Sequence, residues 1–270
     1  MTSPIDLDML RLAPPAYLPA LCRVGAMLAI APPFASAAVP RRLRALLAMG
    51  LTIGLLPRAA MSMPAGASIE AMTTGAWIVG LGGEVLIGLA LGMSLSLVFA
   101  AATMAGELIA HQLGLSLPEA YDPGGGSAGV AGRGSAMGQA FWLLAAVVFF
   151  AANGHHAVLR GLAGSFDAVP AMSLAQMPAA TSLLVGLLQS ATMLAVRLAA
   201  PVFVAALVAD LAMGMVARTI PQLGVMTAGL TVRAMAGVIV VVAGIAGTVA
   251  VIQSGLTANW TELTKAIAGT

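Results

Sequence analysis

The sequence predicts an all-α, polytopic membrane protein, and three observations predict it. Of 270 residues, 60% are apolar and only 8% are charged, with 12 Lys and Arg against 10 Asp and Glu. A soluble domain carries about 25% charge, so this chain has too few charges to cover a water-facing surface, and an ordinary cytosolic enzyme is excluded. The apolar residues are gathered into long runs. Glycine is abundant at 31 residues while aromatics are only 4%, a balance that lets apolar helices approach one another closely.

The runs follow in order. The first covers 13–33, is interrupted by Arg23 and closes on Pro32-Pro33. A turn with Arg41, Arg42 and Arg44 follows. The second, 45–56, is closed by Pro57-Arg58 and is short for a span, which needs about 20 residues. A Pro/Gly/Ser loop covers 59–68. The third, 69–109, holds Glu84 and Glu107 as its only charges beyond Glu70 at its start. At 1.5 Å per residue it measures about 60 Å, twice the hydrocarbon core. It either bends at Gly80, Gly82 and Gly83 or projects beyond the membrane. Residues 111–134 contain Pro118, Asp122-Pro123, Gly124-Gly125-Gly126, Gly129, Gly132 and Gly134, so neither helix nor strand is expected there. The fourth run, 136–152, ends at Asn153-Gly154-His155-His156, and a linker with Arg160, Asp167 and Pro170 reaches Pro178. The fifth, 181–216, holds Arg197 and Asp210, and its tip is Arg218-Thr219-Ile220-Pro221-Gln222. The sixth, 225–252, holds Arg233; Trp260 and Lys265 beyond it suit an interfacial anchor. The expectation is one domain, 1–270, of six main helices: an N-terminal hairpin 1–58, a central part 59–178 and a C-terminal hairpin 179–270.

If each run crosses once, the turns at 41–44, 111–135 and 218–224 share one side. The cluster Arg41, Arg42 and Arg44, with Arg218 and Arg133, marks that side as cytoplasmic. The opening segment carries Asp6 and Asp8 and no Lys, a poor start for a cleaved signal peptide, so the first run is read as retained. A net charge of +2 without a basic stripe gives no case for nucleic acid. Cys22 stands alone, so it has no intrachain disulfide partner and reads as a small packing residue.

Arg23, Glu84, Arg197, Asp210 and Arg233 lie well inside apolar runs. Each costs about 2.5–3.5 kcal/mol at a helix centre unless it finds a partner or water. Arg197 and Asp210 are about 20 Å apart along one helix and cannot pair there. Asp210 and Arg233 stand almost equally far from the tip near Pro221, so an antiparallel hairpin brings them to one depth. A contact across that hairpin is one reading; a different subunit or an aqueous channel for each is the other. Gly88-xxx-Gly92 and Gly50-xxx-Gly54 are small-residue faces that permit close helix contact.

Catalytic readings are thin. His155 and His156 point about 100° apart on a helix and cannot chelate one metal together. Ser127 and Ser135 in Gly-rich surroundings could serve an intramembrane serine protease with a His base, but Gly-Ser is common in such loops. The Gly run lacks the Lys-Ser/Thr of a phosphate-binding loop. No inverted repeat favours a secondary transporter.

Four segments together resemble the flagellar export-gate family FliR, whose virulence-secretion counterpart is SctT. They are Arg23-Val24-Gly25-Ala26 through Ala31-Pro32-Pro33-Phe34 to Val39-Pro40-Arg41-Arg42-Leu43-Arg44; Gly106-Glu107-Leu108-Ile109-Ala110-His111-Gln112-Leu113-Gly114-Leu115-Ser116 with Asp122-Pro123; Asn153-Gly154-His155-His156 with Ser165-Phe166; and Asp210-Leu211-Ala212-Met213-Gly214 to Arg218-Thr219-Ile220-Pro221-Gln222-Leu223. They run in order over nearly the whole chain. Gly224 stands where the pattern has Asn, and His111 is unusual. The second and third segments look flagellar rather than virulence-type.

The resemblance implies a non-enzymatic structural and gating subunit of the flagellar type III export channel, which passes unfolded flagellar subunits across the bacterial inner membrane at the basal body. It implies FliP-like and FliQ-like gate subunits as partners, FlhB-like and FlhA-like export components beside them, and no cofactor. The C-terminal hairpin resembles FliQ and the central part FliP. The family places a pore plug at 115–134: here Leu115, Ser116, Asp122, Pro123, Gly124, Gly125, Gly126, Ser127 and Gly129. Glycine adopts many backbone states, so such a loop can fill an irregular lumen and move aside; a solvated linker is the plainer reading. Glu107 is expected to fix the plug's base. Arg41, Arg42 and Arg44 are expected at lipid phosphates or a neighbouring export component. Virulence-type secretion and an intramembrane serine protease are the alternatives.

Overall fold

Apolar runs punctuated by Pro, Gly and Arg leave the backbone one way to satisfy its N–H and C=O groups without water. The chain takes it: every regular element among the described residues is an α-helix. The structure is a computed structural model that describes residues 14–32, 34–36, 39–63, 73–115, 135–172, 180–219 and 225–268. The helices are α1 (Pro14–Ile30), α2 (Arg41–Ser62), α3 (Thr74–Gln112), α4 (Ala136–Ala151), α5 (Gly154–Ala168), α6 (Ala180–Thr219), α7 (Val225–Ala243) and α8 (Ile245–Ala268). Three stretches, α2, α3 and Val185–Val216 of α6, are long and apolar enough to cross a membrane; five result if α4 with α5 and α7 with α8 each count as one span.

Three boundaries differ from the sequence expectation. The helix α2 runs through Pro57 to reach 22 residues; Pro57 removes one N–H but the helix continues past it. Of the two alternatives the sequence leaves open for α3, a bend is not taken: the helix is continuous for 39 residues, with no break at Gly80, Gly82 or Gly83. The expected linker after Asn153 instead holds α5, whose buried Val158, Leu162, Ser165 and Phe166 form a helical stripe. Residues 225–252 are not one helix: α7 and α8 meet at Gly244 with a bend of 63°.

Two compact units emerge. The first comprises Met1–Ser96, Asn153–Leu187 and Ala258–Thr270; the second comprises Leu97–Ala152 and Leu188–Thr257. In the first, α1 supplies a buried face of Ala16, Ala20, Val24 and Met27. Ala20 packs with Ala59 of α2 and Phe166 of α5, and Leu55 and Met63 close over them. In the second, Phe99 of α3 lies 5.9 Å from the rings of both Trp142 and Phe149 of α4. Aromatic pairs at such angled geometry add about 0.5–1.5 kcal/mol beyond their buried area.

Candidate functional site

Charge held inside apolar helices is the chemistry available to this chain, and the structure gathers most of it into three clusters. The first, in the first unit, is centred on Arg23, which is 0% exposed. Its Nε donates to Glu84 Oε2 at 2.6 Å, and its Nη2 donates to Glu84 Oε1 at 3.1 Å and to the Val169 carbonyl at 3.1 Å. Its Nη1 donates to the Ser165 carbonyl at 2.9 Å and to Ser165 Oγ at 3.1 Å. All five guanidinium donors are therefore used. The guanidinium also lies 4.2 Å from the centre of the Phe166 ring. Glu84 Oε1 further accepts from the Met172 backbone N–H at 2.9 Å. A buried pair is tolerable only when its remaining donors and acceptors are filled, and here they are.

That closeness depends on Gly88 and Gly92. A Cβ on Gly88 would lie 2.9 Å from Ala26 Cβ and 3.0 Å from the Arg23 carbonyl carbon; one on Gly92 would lie 2.8 Å from the Met27 carbonyl oxygen. The Gly88-xxx-Gly92 face thus brings α1 against α3. Gly50 and Gly54 have nothing within 4 Å of an added Cβ, so that second face makes no close contact among the described residues.

The second cluster holds both ends of the glycine-rich segment. At the first end, Gly114 takes φ 71°, the left-handed conformation that ends helices and favours glycine. The Gly114 N–H donates to His111 O at 3.1 Å and the Leu115 N–H to Ala110 O at 2.9 Å. At the other end, the Ser135 backbone N–H donates to Glu107 Oε1 at 2.7 Å. Ser135 Oγ accepts from Gly138 N–H at 3.0 Å and caps α4. The carboxylate therefore stands at a helix N-terminus, where the backbone dipole favours negative charge. Gly106 allows the approach: its added Cβ would lie 2.6 Å from the Met137 carbonyl oxygen.

The third cluster, also in the second unit, is Asp210 with Arg233. Arg233 Nε donates to Asp210 Oδ1 at 2.8 Å, Nη2 reaches the same oxygen, and Nη1 donates to the Gln112 carbonyl at 3.4 Å. The side chains are 32% and 40% exposed, so the pair faces the rim of the helices rather than their core. The equal depth of these two residues on a hairpin is enough to explain their meeting. Asp210→Arg and Arg233→Asp alone are each expected to cost about 1–3 kcal/mol in detergent unfolding titrations. The double exchange is expected to recover most of that loss. Recovery is incomplete because the carboxylate at position 233 then faces the Gln112 carbonyl. A double variant no better than the worse single one would rule the pairing out.

The remaining expected residues are dispersed. Arg197 is exposed on α6, which corrects its reading as a buried charge: the run is apolar, but the face it occupies is open. Arg41, Arg42 and Arg218 are exposed. Arg44 donates from Nε to Phe34 O at 3.1 Å and from Nη2 to Ser36 O at 3.2 Å. These carbonyls compensate a cation at a helix N-terminus, which the dipole disfavours. Ser116, Asp122, Pro123, Gly124, Gly125, Gly126, Ser127, Gly129, Pro221 and Gln222 lie outside the described residues. Sequence reasoning missed Ser165, Val169 and Met172 as partners of the first cluster. The period of Val158, Leu162 and Phe166 was the available signal for the helix that carries the first of them.

As for catalysis, the Ser135 hydroxyl is occupied as a helix cap. The rings of His155 and His156 lie tilted 56° to one another with centroids 4.3 Å apart, and no group of three His, Cys, Asp or Glu gathers among the described residues.

These features define a class: an α-helical integral membrane scaffold whose interior charges join helices to one another. Residues 15–258 match the family described as bacterial export proteins, family 1, and the chain belongs to that family, which includes the FliR and SctT proteins. It is 29% identical to the flagellar biosynthetic protein FliR of Pectobacterium carotovorum subsp. carotovorum, over 80% of this chain and 78% of that one. It is 31% identical to FliR of Caulobacter vibrioides, over 76% and 79%. It is also 28% identical to the surface presentation of antigens protein SpaR of Shigella sonnei, over 58% and 59%. The chain is thus a membrane component of a type III export system, in a family of export proteins rather than of catalysts.

Proposed function

We propose that this chain is a structural and gating subunit of the flagellar type III export channel, passing unfolded flagellar subunits across the bacterial inner membrane at the basal body. One observation carries the gating part. The glycine-rich segment starts from a capped helix end at Gly114–Leu115 and returns to Ser135, whose amide is held by Glu107. Both anchor points belong to the last turns of α3 and the first residue before α4. A segment tied at both ends to one place, and rich in glycine between, is suited to stopper a lumen without loosening the helices that carry it. A solvated linker needs no such carboxylate at its base.

The reading extends to partners. FliP-like and FliQ-like subunits, with FlhB-like and FlhA-like components beside them, cover the open apolar residues of α6, among them Val204, Leu207, Val208 and Leu211. In the assembly the chain acts as an N-terminal hairpin 1–58, a FliP-like central part 59–178 and a FliQ-like hairpin 179–270. Arg41 and Arg42 meet lipid phosphates on the cytoplasmic side. Similarity to the flagellar relatives over about four-fifths of the chain supports the flagellar system over the virulence type.

Deleting Gly124–Gly129 is the test. In a complex of the chain co-purified with its partners and checked by native mass, the deletion is expected to raise small-solute leakage across vesicles several-fold. Unchanged leakage from a fully assembled complex overturns the plug.

A further inference from the structure

The second unit holds two carboxylates among its described residues, and both are engaged: Asp210 with Arg233 and Glu107 with the Ser135 amide. Arg197 is left over. It is exposed and forms no ion pair or hydrogen bond among the described residues. It stands at the mouth of a cavity of about 200 Å³ in the same unit. The floor is apolar and buried, with Ile109, Phe141 and Leu198 in it. The exposed residues Arg197, Pro201 and Gly247 form the opening. Apolar cavities of about 150 Å³ hold benzene, so this one has room for a large apolar side chain.

Three observations bear on what covers the opening. The first is the make-up of the face. Met193, Arg197, Pro201, Val204 and Val208 recur at helical spacing and are all exposed, and Arg197 is the one charge among them. A cation on so apolar a face needs an anion, and a carboxylate fits the guanidinium fork. The second is position along α6. Arg197 lies 12 residues after Val185 and 19 before Val216, the ends of the apolar stretch. It is thus at least about 18 Å from either end. A lipid phosphate would have to enter an apolar stretch to reach it, wherever that stretch stands relative to lipid. A carboxylate carried on a helix is brought to that level by its own backbone. The third is the opposite rim. There α8 exposes Gly247, Ala250 and Ser254, and a Cβ added to Gly247 would meet nothing within 4 Å. Small residues let the backbone of another helix come close.

We propose that a helix of a neighbouring export subunit lies across this opening, with a carboxylate on Arg197 and a large apolar side chain one turn away seated in the cavity. Residues three or four apart on a helix are neighbours, with Cβ atoms about 5–6 Å apart, so one helix supplies both. The inference rests on the reading that neighbouring export subunits cover α6, and it names the chemistry of the one that meets Arg197.

The test uses the chain co-purified with its partners, with the photoreactive residue p-benzoylphenylalanine in place of Met193, one turn from Arg197 on the same face. Irradiation is expected to cross-link position 193 to a neighbouring subunit, at a peptide with an acid within one turn of Leu, Met or Phe. Arg197→Glu should cut that cross-link about tenfold or more, as loss of one charge-assisted contact predicts. Exchanging the partner's acid for arginine should then restore it. Gly247→Leu, which keeps the cation but obstructs the opening, should also cut it. If Arg197→Glu fails to assemble, Gly247→Leu and the cross-link of the otherwise wild-type complex decide. Cross-linking to lipid alone overturns the proposal. So does cross-linking to this chain's own stretch with Glu119 and Asp122, or a cross-link that Gly247→Leu leaves unchanged. A chain that co-purifies with no subunit overturns the wider reading and this inference with it. Subunits that co-purify without cross-linking to position 193 overturn this inference alone.

Discussion

An Arg23→Ala chain is expected to lose about 3–5 kcal/mol of stability, because Glu84 is then left buried and uncompensated. The loss spreads across the joint: the Ser165 and Val169 carbonyls lose their donors in the same step. Unfolding of the purified chain in detergent, followed by temperature or denaturant, measures it. Arg23→Lys does not restore it, since an ammonium has three donors and cannot make the fork that meets both Glu84 oxygens. Arg23→Met with Glu84→Leu is expected to be closer to wild type than Arg23→Ala, because apolar residues of similar volume replace the whole pair. That double variant still leaves the Met172 N–H without its acceptor, an orphan worth about 1–3 kcal/mol. A single variant as stable as the wild type would show that the joint holds nothing.

Gly88→Val is expected to act on the same joint from the other side. Its Cβ would press on Ala26 at 2.9 Å and on the Arg23 main chain at 3.0 Å. A main chain cannot step aside as a side-chain tip can, so α1 must back away from α3 and Arg23 must draw off Glu84. Overpacking costs about 1–3 kcal/mol in ordinary cores, and here the strained pair adds to it. Because both changes open one contact, Gly88→Val with Arg23→Ala should cost clearly less than the two losses added together. Gly82→Ala, with nothing within 4 Å of its new methyl, is the control and should change little. Full additivity in the double variant would mean that Gly88 and Arg23 act separately.

The fold class was open to reading because composition alone forbids a water-facing surface, and the long runs mark most helices. The Asp210–Arg233 contact was readable because a short tip fixes a hairpin's register, so counting from Pro221 suffices. Arg23 with Glu84 was not: 61 residues separate them, and no local rule selects one buried acid for one buried base. Pro57 misled because a proline that ends helices in water can sit inside one among apolar neighbours. Gly80, where a bend was one of two open alternatives, leaves its helix unbroken, and the Met172 side chain fills the space its missing side chain leaves, with Sδ 2.8 Å from where a Cβ would be. The helix after Asn153 escaped because a search for long apolar runs passes over a half-polar helix that buries one stripe. Asn153 itself, at φ 55°, starts that helix in a conformation asparagine tolerates better than most residues.

The grip of Glu107 on the Ser135 amide has one more consequence. Its acceptor is a side chain but its donor is main chain, so the two ends of the bond are unequally exposed to mutational drift. Any residue except proline can stand at position 135 and still supply the hydrogen; forfeiting the hydroxyl would weaken only the helix cap. At position 107 nothing shorter or uncharged reaches as well. The latch's acceptor is thus written at position 107, with Gly106 and Gly138 keeping the space it needs, and its failures in variant sequences should cluster at these three positions.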